Sequence, residues 1–205
     1  WIERFHPKIY NGTCLDIGAN IGNHSIFFSK KFNQVFSFEV FPKNLDLLKI
    51  NCRDVKNIKI FEFGLSNENK KIDFFYSKLN LGGLSKIKAE DQNIKLKLDV
   101  KKIDDLNIDK SKITFVKLDV EGSEFDIVKG GINFFSEYKP IIVFEQQPED
   151  FEDNSTKLIN LLKSLGYEKF YTIKTHPSVS ESRNIFYKIF SFIMIILTGQ
   201  KTIFY

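Results

Sequence analysis

Asp16-Ile17-Gly18-Ala19-Asn20-Ile21-Gly22 is the stretch on which the fold turns. It continues the apolar run Thr13–Ile17, a buried-strand pattern. It leads into Gly22–Lys31, where Ile26, Phe27 and Phe28 are apolar in a helical pattern and Lys30 and Lys31 close the end. Glycines between a strand and a helix let backbone approach a ligand closely, and the amides that open a helix attract a carboxylate or phosphate. The dinucleotide fingerprint has the same logic but needs glycines at its first, third and sixth positions. Counted from Gly18, those positions hold Gly18, Asn20 and Asn23, so only the first is met and a nicotinamide enzyme is disfavoured.

Outward from this turn, strand and helix patterns alternate. Gln34–Phe38 reads as a second strand ending at Glu39. Pro42 stands where a first-turn proline belongs, ahead of a helix with Leu45, Leu47, Leu48 and Ile50. Ile58–Phe61 is a third strand. Lys71–Ser77 and Ile94–Val100 then alternate with period two around the glycine-containing loop Leu79–Ser85, the pattern of an antiparallel insertion. The earlier pattern returns with strand Ile113–Leu118, a helix over Glu124–Glu137 broken at Gly130-Gly131, and strand Ile141–Phe144. Helix Thr156–Leu165 is capped by Gly166, and Tyr167–Lys174 with Ile185–Phe190 read as a closing hairpin. Such alternation predicts an α/β fold: a mostly parallel sheet with helices on both faces, interrupted at about 71–100. Nothing divides the 205 residues, so one domain over 1–205 is expected. The chain starts at Trp1 without a methionine, which suggests that the native N-terminus is missing.

Charge and cysteine content narrow the function. The 30 basic and 26 acidic residues are scattered, whereas a nucleic-acid binder concentrates its basic face. Cys14 and Cys52 have no metal-ligand spacing and read as reduced thiols, pointing to the cytoplasm. His6, His24 and His176 form no zinc set, and no metal requirement is expected. Ile185–Leu197 is almost wholly apolar but too short to span a bilayer. It reads first as a core strand with a packed apolar tail over 191–205. Peripheral contact with the inner membrane surface is the alternative.

Candidate chemistry gathers at the strand ends, where α/β sheets bind ligands. Asp16, two residues before the first glycine, suits a ligand with an ammonium group, such as the amino-acid end of S-adenosylmethionine. Glu39 falls about 20 residues on, where an acid can take ribose hydroxyls. Asp119 and Glu121 leave the strand Ile113–Leu118 just before Gly122. Glu124 sits at a helix start, where an acid stabilises the dipole.

These residues resemble the FkbM-type methyltransferases. The resemblance rests on Asp16–Gly22, Glu39-Val40-Phe41-Pro42-Lys43-Asn44, Gly64-Leu65-Ser66-Asn67, Lys117–Gly131 and Phe144-Glu145, in order, and covers about Lys8 to Glu145. It implies a Rossmann-like class I methyltransferase that uses S-adenosyl-L-methionine. The reaction it implies is O-methylation of a hydroxyl on a sugar, glycan or small metabolite. By the same resemblance, Asp16, Gly18, Ala19, Asn20 and Gly22 surround the methionine part, Glu39 binds the ribose, and Gly64, Leu65 and Ser66 lie near the adenine. Asp119 and Glu121 face the reacting end. A hydroxyl is a poor nucleophile, so a general base is expected among Asp119, Glu121, Glu145 and His24. A nucleic-acid methyltransferase is one alternative. Base methylation commonly uses an Asn/Asp-Pro-Pro-aromatic motif, and that place holds Asp119-Val120-Glu121-Gly122. A non-catalytic binding module is the other, opposed by the intact cofactor motifs. The insertion is expected to be a lid or rim that shapes acceptor choice.

Overall fold

The computed structural model describes residues 7–76, 94–120, 122–146, 150–152, 155–173 and 193–198. Strands β1 (Thr13–Ile17), β2 (Gln34–Phe38) and β3 (Ile58–Phe61) alternate with helices α1 (Asn23–Ser29) and α2 (Pro42–Cys52). The two-residue β4 (Gly64–Leu65), β5 (Lys70–Tyr76) and β6 (Ile94–Lys101) follow. Then come β7 (Ile113–Leu118), α3 (Glu124–Lys129), α4 (Ile132–Tyr138), β8 (Ile141–Gln146), α5 (Lys157–Ser164), β9 (Lys169–Ile173) and β10 (Ile193–Thr198).

The main sheet has the order β3-β2-β1-β7-β8-β10-β9. The pairs β1–β2, β2–β3, β1–β7 and β7–β8 are parallel, and β10 runs antiparallel to both β8 and β9. Both faces of the sheet are covered, which is why its central strands are continuous apolar runs. On one face Leu15, Ile17, Val116, Leu118, Ile142 and Phe144 pack with Ile127, Val128, Phe134, Phe135, Leu158 and Leu162 of α3, α4 and α5. On the other, Cys14, Val35, Phe115, Ile141 and Val143 meet Phe28 and Phe32 of the α1 segment. Leu45, Leu48 and Cys52 of α2 close over Ala19 beside them.

The insertion is a second sheet of order β4-β6-β5. β5 and β6 pair antiparallel as their alternation predicts. β4 adds to β6 in parallel, a strand too short to show in the sequence. The loop 79–85 lies outside the described residues. Past β6, Asp104 turns back and accepts from the backbone N–H of Asn133 (3.1 Å) and Phe134 (2.9 Å), capping α4 from a distant segment. Gly130 is where the two parts touch: a Cβ there would meet the Ser66 carbonyl oxygen at 2.0 Å. The helix break at Gly130-Gly131 is therefore a docking point for the chain leaving β4.

The closing hairpin differs from its expected form. Its first strand is β9, but the partner is Ile193–Thr198 and not Ile185–Phe190, which lies outside the described residues. β10 enters between β8 and β9 because the apolar edge of β8 needs a partner. Its backbone pairs Ile193 with Gln146 and Leu197 with Ile142. Residues 193–198, expected as part of the apolar tail, form the strand instead. Among the described residues, no helix is long and apolar enough to cross a membrane.

Candidate active site

Strand order reverses at β1, whose neighbours β2 and β7 lead to opposite halves of the sheet. Such a switch point leaves a crevice beyond the strand ends. The turn after β1 builds its floor. Gly18, Asn20 and Gly22 all take positive φ, at 77°, 51° and 96°, a region glycine occupies freely and asparagine tolerates. The amides of Gly18 and Ala19 both donate to the Phe38 carbonyl (3.1 and 3.0 Å), fastening the turn to the end of β2. A Cβ on Gly18 would meet the Asp119 carbonyl oxygen at 2.0 Å, so only glycine lets the ends of β1 and β7 come this close.

The crevice has a cavity volume of about 150 Å³ and opens to solvent. Gly18, Asn20, Glu39, Gly64, Leu65 and Asp119 all line it, as does Asn44 of α2. Its apolar wall comes from Phe38, Val40, Phe41, Phe74 and Val100. Phe74 and Val100 belong to β5 and β6, so the insertion is part of the cavity wall as well as a rim.

Glu39 is buried and held by three backbone donors. Oε1 accepts from Val40 (2.9 Å) and Phe41 (2.7 Å), and Oε2 accepts from Asn20 (2.8 Å). Burial pushes its pKa above the ordinary carboxylate value, against the lowering effect of those amides. A carboxylate offers about four acceptor positions, so one on Oε2 remains for a ligand hydroxyl.

Asp16 stands elsewhere than expected. It is fully buried and does not line the crevice. Its partners are internal: Ser25 Oγ donates to Oδ2 at 2.6 Å, and Lys117 Nζ lies 3.1 Å from Oδ1. The ammonium that Asp16 seeks is supplied by the protein. Gly22 is turned the other way, with Leu48 and Cys52 of α2 where a side chain would be. Ala19 packs beneath α2, and Ser66 is buried against Gly130. These four expected cofactor residues support the turn and walls from behind.

Lys117 had no role assigned from sequence. It is paired across the sheet with Asp16, and only 7% of it is exposed. Its Nζ donates to Asp16 and to the Gly18 carbonyl (3.2 Å), and lies 3.2 Å from Asp119 Oδ2. Desolvation is the largest single effect on its pKa and acts downward. Asp16 and Asp119 together outweigh it, and the value lies above that of a free lysine. Ser37 Oγ donates to Ser25 Oγ at 2.8 Å, extending the buried chain into the core.

Asp119 is the side chain of this network that lines the crevice, and it is 42% exposed. Glu124, at the start of α3, is buried and accepts from the Val120 amide at 3.2 Å, so it fastens the loop after β7. Burial raises its pKa, partly offset by backbone donors. His24 is on the surface of α1, and its ring stacks on Phe28 at 5.9 Å. Its pKa is lowered by desolvation first and then by Lys117, against Asp16 and Asp119. Glu145 is half-buried near the end of β8. Neither His24 nor Glu145 lines the crevice, and Glu121 lies outside the described residues. Among the described residues no group of three His, Cys, Asp or Glu could hold a metal ion.

Comparison with known proteins agrees with this geometry. The model of the methyltransferase FkbM domain matches residues 16–169. The hexuronic acid methyltransferase AglP of Haloferax volcanii is 32% identical over 150 residues, 72% of this chain and 61% of that protein. The crystal structure of methyltransferase FkbM from Methylobacillus flagellatus superposes with a TM-score of 0.61 at 20% identity, over 92% of this chain and 43% of the other. Aeropyrum pernix fibrillarin, solved with natively bound S-adenosyl-L-methionine, gives 0.53 at 13% identity, over 94% and 69%. The chain therefore spans less than two thirds of the length of AglP and less than half of the solved FkbM chain.

Proposed function

The chain belongs to the FkbM methyltransferase family and has the Rossmann-like class I fold, and from that premise we propose that it transfers the methyl group of S-adenosyl-L-methionine to an oxygen of a sugar or glycan. One observation carries the cofactor reading: a crevice at the reversal of strand order with an available carboxylate on each side, Glu39 and Asp119. The residues fit the group. Glu39 Oε2 keeps an acceptor position for ribose hydroxyls. Gly64, Leu65, Phe74 and Val100 offer an apolar wall for the adenine, and Gly18, Asn20 and Asp119 line the part left for the amino-acid end. When bound, the cofactor supplies an electrophilic methyl on a sulfonium.

The chain's own part is alignment, which can lower a barrier by about 7–11 kcal/mol in well-oriented cases. Asp119 has one oxygen committed to Lys117, and we assign it to holding the amino-acid end, which keeps the neighbouring sulfonium in line. A base for an acceptor hydroxyl is then sought at Glu121, Glu145 or His24. The acceptor is proposed as an acidic sugar, supported by the relative that acts on hexuronic acid. Such a sugar offers hydroxyl oxygens, which need a base, and carboxylate oxygens, which do not. A hydroxyl is our reading.

The test is incubation with methyl-labelled cofactor and a panel of neutral and uronic acid-containing glycans. Label on a uronic acid glycan, stable to mild alkali, is the expected result. Alkali-labile label would mean a methyl ester and would move the reading to the carboxylate. Label on nucleic acid alone would overturn it.

A further inference from the structure

Lys117 is an expensive residue for its place. It sits in a strand with Val116 and Leu118, on a sheet buried on both faces, and a buried ion pair is often no more stabilising than an apolar pair of the same volume. If Asp16 and Lys117 served packing alone, two apolar residues would do. The geometry gives the pair a direction. An ammonium has three protons, and three acceptors surround this one: Asp16 Oδ1 at 3.1 Å, the Gly18 carbonyl at 3.2 Å and Asp119 Oδ2 at 3.2 Å. None remains for a ligand, so Lys117 can act on the crevice only through another group.

Two of the acceptors are rigid. Gly18 is fixed by the turn's hydrogen bonds to Phe38, and Asp16 is held from behind by Ser25, which accepts from Ser37. The third is a side chain on the crevice wall. The network thus runs from the core, through three strands and α1, and ends on the carboxylate of Asp119. Asp119 Oδ1 receives no hydrogen bond from the described residues. The charges of Asp16, Lys117 and Asp119 sum to a single negative charge, which suits a cationic ligand group at that wall.

We propose that Lys117 is a positioning residue that fixes the Asp119 carboxylate, so that its free oxygen receives the ammonium at the amino-acid end of the cofactor. This rests on the reading of the crevice as the sulfonium-cofactor site. It also moves the ammonium-binding role that sequence gives to Asp16 onto Asp119, with Lys117 occupying the place at Asp16.

Two probes separate positioning from stability: S-adenosylhomocysteine, and 5′-methylthioadenosine, which lacks the amino-acid end. Binding is measured by calorimetry on the parent, Asp119→Asn, the pair variant Asp16→Asn with Lys117→Met, and the triple variant. The pair variant is chosen because Lys117→Met alone leaves a buried carboxylate uncompensated. Asp119→Asn and the pair variant are each expected to weaken S-adenosylhomocysteine about tenfold or more, the scale of a lost charged hydrogen bond. Both should leave 5′-methylthioadenosine within about threefold. In the triple variant the effects should not add, because both changes disable one contact. Equal weakening of both probes by the pair variant, or a full further loss in the triple variant, would overturn the positioning role. A parent that binds neither probe would overturn the cofactor reading itself, and this inference with it.

Discussion

Glu39 allows the cofactor reading to be tested at a single atom. Glu39→Ala is expected to weaken S-adenosylhomocysteine by about 1.5–3 kcal/mol, the scale of hydrogen bonds to a charged group. Calorimetry on a variant of unchanged fold checks it, and parent-like affinity would remove Glu39 from the ribose site. The pH dependence has a definite sign. Burial holds Glu39 above 4.5 in the free protein, and hydroxyl donors favour its ionised form. Affinity should therefore fall as pH drops through that raised value, and Glu39→Gln should lack this acid limb. Stability runs the other way: a raised pKa means folding takes up a proton, so the contribution is complete below 4.5 and is lost as pH rises through the folded value. For the proposed base, one of Glu121→Gln, Glu145→Gln and His24→Asn should lower turnover about 10²-fold with cofactor affinity unchanged. If all three keep parent-like turnover, an acceptor that needs no base, a carboxylate, becomes the consistent substrate. Glu39 and Asp119 were legible in the sequence because parallel strands deliver their terminal residues to one edge. Lys117 carried a faint signal, a cation inside an apolar strand. Ser25 and Ser37 carried none, since their partners come from other elements.

The joint between the insertion and the main sheet is the next place to press. Gly130→Ala would set a Cβ against the Ser66 carbonyl, and backbone cannot yield as a flexible side chain does. A loss of about 1–3 kcal/mol is expected, measured by urea unfolding. Cofactor affinity should fall with it, because the displaced segment carries Gly64 and Leu65 of the crevice wall. Replacing the loop 79–85 should instead change acceptor choice and leave cofactor affinity within about threefold, since functional loops tolerate change better than the elements that hold them. A matching loss of cofactor binding would make that loop structural. The alternation of β5 and β6 was plain in the sequence because one face is apolar and the other charged. β4 was not, because two residues have no period, and the dependence of Ser66 on Gly130 joins segments about 60 residues apart that no local pattern links.

Across the whole molecule, sheet order explains which parts of the fold could be read. β1, β2, β3 and β7 begin and end as their apolar runs predict, since sheet burial gives a strand sharp limits. β10 could not be placed, because the apolar run 185–197 is longer than one strand needs and pairing with β8 selects its last five residues, 193–197. A chain cut before residue 193 should fail to accumulate in folded form, because β9 pairs through β10 and the apolar β8 becomes a free edge. Soluble, cooperatively unfolding material from such a truncation would count against this topology. The same arrangement has a meaning for the protein as it is made. Chains leave the ribosome from the N-terminus, and domains can begin to fold as they emerge. The crevice-forming strands are all out once β7 has emerged, whereas β9 must wait for a later segment to bridge it to the sheet. Each nascent chain therefore passes through an interval in which the crevice-forming strands are all available and the far edge of the sheet is open. Any cofactor that binds during that interval would steady a protein still under synthesis.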